Sequence, residues 1–290
     1  TYLTIPVTTV PAYIGRFIPD HFVTSATRMD CVPNMKCDTD VTIAAYSKEP
    51  MTTVKVAARA AGGTATKNYQ GVYARKVQLA AFGNPKVAYT PLTGLSDGTV
   101  EAATFKDGIA DAKPVFTLTN GFVHTAPQAA WSPPTTIFLR ANEIAGDGVH
   151  SLSTSDPHEV GIRIVSGRLL VPNAHGSERL NLPLKVSAQY WTGSNWELSK
   201  TDKHNVIDPA SPKVAFSNFT GGLSAAGMSL VPQALQGLTS GVASLSVKVA
   251  PAVSGSADLL IDHLPWLPST KGRLKFGTYK SPLIYLREVH

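Results

Sequence analysis

The sequence predicts an all-β chain: two β-sandwich, immunoglobulin-like domains in tandem with little helix. Three observations carry that expectation. Apolar side chains recur at every second position through one short run after another, which is the period of a half-buried strand. Gly (23) and Pro (21) are plentiful among the 290 residues, and with Asn and Asp they cluster between those runs, where turns are made. Hydrophobic residues make up 43% and charged residues only 16%, a balance that supplies sizeable cores and argues against disorder.

The elements follow in chain order. The first stretch, 1–21, is rich in Pro and β-branched side chains and reads as an entering linker or an added edge strand. A first sandwich is expected over 22–150, with strands in TTVKVAARA (52–60), VYARKVQLAAF (72–82), PVFTLTNGFV (114–123) and TTIFLRANE (135–143). The polar stretch DGVHSLSTSDPHE (147–159) lacks alternation and marks the division, which places the second sandwich at 151–290. Its strands are expected in EVGIRIVSGRLLV (159–171), PLKVSAQYW (183–191), ASLSVKVAP (243–251), RLKFGTYK (273–280) and PLIYLREV (282–289), the last tying the terminal segment into a sheet. The one helical candidate is LSAAGMSLVPQALQGL (223–238), interrupted by Gly227 and Pro232, both poor in helix interiors. Short strands at this spacing are those of sandwiches or barrels.

Charge and cysteine usage bound the function. The net charge is +6 and the pI about 9.2, yet Lys and Arg are scattered among apolar residues, as in KGRLKFGTYK (271–280). That is the solvent face of a strand, and no recognition motif accompanies it, so nucleic acid is not an expected partner. Cys31 and Cys37 stand close together in CVPNMKC, a spacing that fits neither a zinc site nor a redox CxxC. A disulfide closing a short loop, hence an oxidising compartment, is the expected reading; two unpaired thiols in a cytosolic protein are the alternative. No run reaches the length of a membrane-spanning helix and no signal peptide opens the sequence. Membrane insertion by this fragment is therefore not expected, and Thr1 reads as the start of a processed or excised piece. Asn218-Phe219-Thr220 fits a glycosylation sequon, a match of low specificity.

Several motifs stand in a recognisable order: GRFIPDHF (15–22), ARAAGGTATKNYQG (58–71) and FLRANEIAGDGV (138–149). GRLLVPNAHGSERLNLPLKVSAQYWTGSNWELSKTD (167–202), LPWLP (264–268) and KFGTYKSPLIYLREVH (275–290) follow. Together they resemble the domain of unknown function that forms the C-terminal part of the MSHA type IV pilus biogenesis protein MshQ and its bacterial relatives. The block around Asn173, Gly176, Ser177, Glu178 and Gln189-Tyr190-Trp191 is the most specific, and the anchors span nearly the whole chain. Two departures stand out. PSTKG (268–272) replaces an acidic loop that in the family has the look of a calcium site, and SKTDKHNVIDPAS (199–211) lacks the cysteine many members carry there. The resemblance implies an exported, surface-associated bacterial protein linked to type IV pili or adhesion, with pilus or cell-surface proteins as partners. It supplies no reaction.

The chemical candidates are few. Ser177 and His175 are two apart and share a face if extended, but a hydrolase also needs a carboxylate, an oxyanion hole and a pocket. Turn chemistry explains the block instead: Asn173 bonds nearby amides, Gly176 takes a positive φ, Ser177 bonds locally, and Glu178 completes it. GLSDG (94–98) fits a nucleophile-elbow pattern but sits in an all-β context with no helix signal after it. The eight histidines include no HxH and no HExxH. No cofactor is expected beyond a structural calcium ion, for which Asn142, Glu143 and Asp147, with Asp156 and Glu159, supply the oxygens. Tyr190 and Trp191 face opposite sides of a strand. Trp191, Trp196 and Trp266 are the ligand-binding candidates if exposed, whereas packing across a hairpin or into a core is the other outcome. The function expected is a non-enzymatic extracellular surface protein associated with type IV pili, acting in adhesion or pilus assembly through protein or surface contacts. A carbohydrate-binding module using the tryptophans is the alternative, and an extracellular hydrolase ranks third.

Overall fold

The computed structural model of the protein describes residues 18–27, 29–30, 43–88, 90–123 and 131–277. Cys31 and Cys37, the first 17 residues and the terminal PLIYLREV lie outside the described residues.

The first unit contains β1 (His21–Ser25), β2 (Met29–Asp30), β3 (Ile43–Tyr46), β4 (Val54–Arg59), β5 (Val77–Phe82), β6 (Leu95–Ser96), β7 (Thr99–Val100), β8 (Ile109–Ala112), β9 (Val115–Phe116), β10 (Thr135–Glu143) and β11 (Gly161–Val165). They form one sheet in the order β1-β4-β8, a second in the order β2-β3-β11-β10-β5-β7, and a short β6-β9 ladder. Every pair in the two larger sheets is antiparallel except β3 with β11. Alternation does the work foreseen. In β10, Ile137, Leu139 and Ala141 are buried and pack with Phe22, Val56, Leu79, Ile162 and Ile164 in one core. Burying such side chains contributes roughly 1.5–3 kcal/mol each.

The second unit contains β12 (Gly167–Leu170), β13 (Ala174–Gly176), β14 (Leu182–Trp191), β15 (Trp196–Leu198), β16 (Val206–Ile207), β17 (Val214–Gly221), β18 (Met228–Val231), β19 (Gln236–Gly237), β20 (Val242–Val249), β21 (Gly255–Ile261) and β22 (Gly272–Phe276). One sheet runs β12-β14-β20-β18, with β15 on β14; the other runs β13-β22-β21-β17. Leu184, Val186, Ala188 and Tyr190 of β14 point inward against Leu245, Val247, Leu259 and Leu274. The fold is nearly all β, as the alternation and turn spacing require.

Two local expectations are corrected. The run 223–238 is not a helix: a single 3-10 turn, Ala225–Gly227, leads into β18 and then β19. Met228 and Leu230 are buried with a period of two, and Gly227 and Pro232 deny the run any continuous turn. The run 159–171 is two strands, not one. β11 pairs with β10 and β3 in the first unit, whereas β12 pairs with β14 in the second. β11 is buried on four of its five residues and β12 on alternate ones, and Val165, Ser166 and Gly167 at the junction are all buried, so burial continues across the change of sheet. The chain thus passes from the sheets of the first unit to those of the second at Ser166.

Candidate functional site

Among the described residues the chain passes from the first sandwich to the second through Ser166, which is buried. Its Oγ accepts a bond from the Phe122 amide (2.9 Å), and its carbonyl accepts one from the Trp191 amide (2.9 Å). Among the described residues one position separates the end of β11 from the start of β12. Tyr46, the last residue of β3, projects out of its own unit and is buried in the second unit's core with Ala44, Val165, Leu169 and Leu267. Gly167 makes this approach feasible: a Cβ there would lie 2.5 Å from Tyr46 Cδ1 and 2.8 Å from Leu267 Cδ2. No other residue fits without moving the seam.

Around the Tyr46 hydroxyl lies a buried polar network drawn from both units. The phenol donates to Asp202 Oδ2 (3.0 Å), and the Asn205 amide and Nδ2 donate to the same carboxylate (3.2 and 2.9 Å). Trp266 Nε1 donates to Asn205 Oδ1 (2.8 Å). On the other side Glu49 Oε2 accepts from the Tyr46 amide (3.1 Å), and Glu49 Oε1 is 2.7 Å from His204 Nε2. His204 Nδ1 lies 3.5 Å from Asp202 Oδ1. The Glu49 and Asp202 side chains are both 0% exposed. A buried carboxylate is destabilising by several kcal/mol unless its lone pairs are met, and here each unit meets those of the other. Burial first, then the Asp202 charge, pushes the Tyr46 phenol well above its ordinary value, so it remains a donor.

An aromatic cluster flanks the network. Trp191 and Trp196 face one another across the β14/β15 hairpin, ring centroids 5.6 Å apart. Trp131, from the chain before β10, sits 4.7 Å from Trp191 and 5.3 Å from Trp196, close to edge-to-face. Phe122 meets Trp196 edge-on at 5.5 Å. The Arg168 guanidinium lies 4.3 Å over the Trp196 ring and 5.7 Å from that of Phe122, oriented by its Nε bond to Gln189 Oε1 (2.9 Å). Desolvation lowers the Arg168 pKa. Phe122 and Trp131 belong to the first unit, and Arg168, Trp191 and Trp196 to the second. All four rings are half-buried, and their edge-to-face contacts, with the cation over one face, are favourable beyond the area they cover.

The other sequence candidates fall elsewhere. Tyr190 is buried, and desolvation with the Glu197 carboxylate raises its phenol. Asn173 and His175 lie at the far end of the second unit, where Asn173 Oδ1 accepts from the Arg273 amide (2.8 Å) and His175 Nε2 is 3.1 Å from the Gly277 carbonyl. Gly176 is within β13, where its missing Cβ leaves room for Leu182 (2.8 Å). The chain turns at Glu178 and Arg179, with Ser177 Oγ accepting the Arg179 amide (3.1 Å). In GLSDG, Leu95 and Ser96 form the short β6, and Asp97 has φ 53°. Asn142 precedes Glu143, the last residue of β10, whose carboxylate accepts from Tyr69 Oη (3.1 Å) and the Asp147 amide (2.6 Å). Glu159 is buried and bound to Arg140 Nε at 2.5 Å. Among the described residues no three His, Cys, Asp or Glu side chains come together in a way that would hold a metal, and no helix is long and apolar enough to cross a membrane.

The seam residues Tyr46, Glu49, Asp202, His204, Phe122, Trp131 and Arg168 were not among the sequence candidates. Partners as distant along the chain as Tyr46 and Asp202 leave no local spacing to read. Asp202, His204 and Asn205 stand in the polar run 199–205, where nothing sets them apart from solvated turn residues.

The sequence matches the family described as DUF6701, with its third domain over residues 1–145 and its fourth over residues 165–289. No curated protein matches it. Among solved structures it is similar to the D0-D1 domain of intimin, at 10% identity and TM-score 0.23, over 80% of this chain and 94% of that one. It is also similar to FdeC, described as a broadly conserved Escherichia coli adhesin, at 10% identity and TM-score 0.28, over 89% of this chain and 63% of that one. Overlaps this loose transfer no role. The two family matches, by contrast, together cover almost all of the sequence and part on either side of the segment that leads into the Ser166 crossing: the chain belongs to the DUF6701 family and carries its third and fourth domains.

Proposed function

We propose that this chain is a non-enzymatic segment of an exported bacterial surface protein, acting in adhesion or type IV pilus assembly as a stiff pair of sandwiches in series. The observation that carries this reading is the seam: one buried connecting residue, a tyrosine inserted across it, two buried carboxylates shared between units and an aromatic cluster bridging them. Such a joint holds both units in one orientation and passes load along the pair without bending. The strand registers support the series arrangement. The described chain enters the first unit at the pole where His21 pairs Arg59, opposite the seam. It reaches Gly277 at the pole of the second unit where Phe276 pairs Gly255, again away from the seam. Loops at the outer poles are then the surfaces available to other proteins, the usual place for recognition on a β-sandwich.

The geometry of the chemical candidates favours contact over catalysis. His175 is turned to a backbone carbonyl and Ser177 to a local amide. Stacking of a sugar needs an open ring face, while Trp131, Trp191 and Trp196 are turned to each other with Arg168 over Trp196 and Trp266 is tied by its Nε1 to Asn205, which favours protein contact over glycan binding. The test is a strain lacking this segment, scored for attachment to surfaces and for pili by electron microscopy. Reduced attachment or piliation, restored by the intact chain, is expected; wild-type levels of both would overturn the proposal.

A further inference from the structure

Two imidazoles from distant parts of the first unit lie face to face. The rings of His21, the first residue of β1, and His158, from the segment between β10 and β11, have centroids 4.0 Å apart and planes 11° from parallel. The stack sits by a line of bonds that fastens β1 to residues 150–160. The Phe22 amide bonds the His150 carbonyl (3.1 Å) and the Thr24 amide bonds the His158 carbonyl (2.8 Å), while the Val160 amide bonds Thr24 Oγ1 (2.9 Å). The same two stretches, through Thr24, Ser25 and Ala26 and through Pro157, Glu159 and Val160, line a cleft of about 880 Å³.

The charge state of His158 bears directly on this contact. Its Nδ1 is closed off from solvent and, among the described residues, has no hydrogen-bond partner. A neutral ring leaves only a lone pair there. An imidazolium puts a charged N–H in the same place with nothing to receive it, and sets its charge against the second ring. Asp156, Asp20 and Glu159 favour a charge on His158, but burial first, and then the His21 charge, outweigh them and hold it below its ordinary value of 6.5. Glu159 is already matched by Arg140, His21 Nδ1 is 2.8 Å from Asp20 Oδ2, and Arg59 stands opposite His21 on β4, on the same face of the sheet. We propose that the His21–His158 stack is a pH-sensitive latch, closed while His158 is neutral and released when it takes a proton, so that β1 and residues 150–160 part and the cleft they line widens. A histidine that binds its proton more weakly closed than open stabilises the closed form above 6.5, and that stabilisation is lost as pH falls through the closed-state value.

The test is amide hydrogen exchange on the whole chain at about pH 7 and about pH 5, on either side of the ordinary histidine value. Rates are expressed as protection factors, so that the pH dependence of exchange itself cancels. Protection of the Phe22, Thr24 and Val160 amides is expected to fall about tenfold at the lower pH, with the amides of β14 and β20 unchanged. His158→Phe keeps a flat ring that takes no proton, and should hold the same protection at both values. Retained protection in the wild type, an equal loss in the variant, or a loss that spreads to β14 and β20 would overturn the latch. A second measurement needs no substitution: the His158 ring, followed by NMR in the wild type, should titrate with a midpoint below 6.5. A midpoint at or above that value also overturns the proposal.

Discussion

Removing the Tyr46 hydroxyl would leave Asp202 with donors from its own unit and none from across the seam. A hydrogen bond to a charged group is worth about 1.5–3 kcal/mol, and Tyr46→Phe keeps the ring packed, so a loss of that size in urea unfolding is the expected outcome. An unchanged midpoint would show that the bond across the seam adds nothing. Asp258 offers a residue-scale prediction about pH. Burial pushes its carboxyl up, but hydrogen bonds from Arg273 and Asn218, with the Arg273 charge, outweigh that and hold it below its ordinary value of 3.8. A carboxyl with a depressed folded pKa contributes stability that is present above the unfolded value and lost as pH falls through the folded one. Thermal unfolding of the wild type should therefore lose more stability than Asp258→Asn on acidification from roughly pH 5 to roughly pH 2. Equal losses would mean that Asp258 is not the group responsible.

Strand-scale behaviour is governed by where β11 and β12 meet. Gly167 opens β12 against Tyr46, so Gly167→Ala forces a methyl into occupied space. Overpacking of this kind typically destabilises by about 1–3 kcal/mol, and here it acts on the seam. Denaturant unfolding should show that loss, whereas wild-type stability would mean that the seam yields without strain. The β14/β15 hairpin gives a second case. Trp196→Ala removes the ring that Arg168, Phe122, Trp131 and Trp191 all touch, at a cost of about 3 kcal/mol. The loss should appear with tryptophan fluorescence shifted toward the solvent-exposed value for the remaining rings. The strands themselves were legible because alternation is a local signal, visible in β10 and β14 residue by residue. The β11/β12 break was not legible, since burial on both sides of Ser166 hides a change of sheet.

At the scale of the whole molecule, the seam predicts that the two sandwiches unfold together. Calorimetry should give one transition whose van't Hoff and calorimetric enthalpies agree. Tyr46→Ala, which empties the seam and takes from Asp202 its donor across it, should split it into two. Two transitions in the wild type would show that the units are independent beads and would remove the basis for a stiff pair. A single transition that survives Tyr46→Ala would place the coupling in the aromatic cluster instead.

What the sequence determined by itself was the class of fold, most of the strands and the family, because alternation, turn residues and ordered motifs are properties of neighbouring positions. It also showed that Tyr190 and Trp191 must face opposite sides of one strand. Tertiary structure alone decided that Tyr46 and Glu49 meet Asp202 and His204, that Trp131 joins Trp191 and Trp196, and that Ser166 is the crossing point. Those contacts join residues far apart in the chain, and their free energy comes from closing polar groups and rings away from water between two sandwiches. Neither half of the pattern carries that information alone.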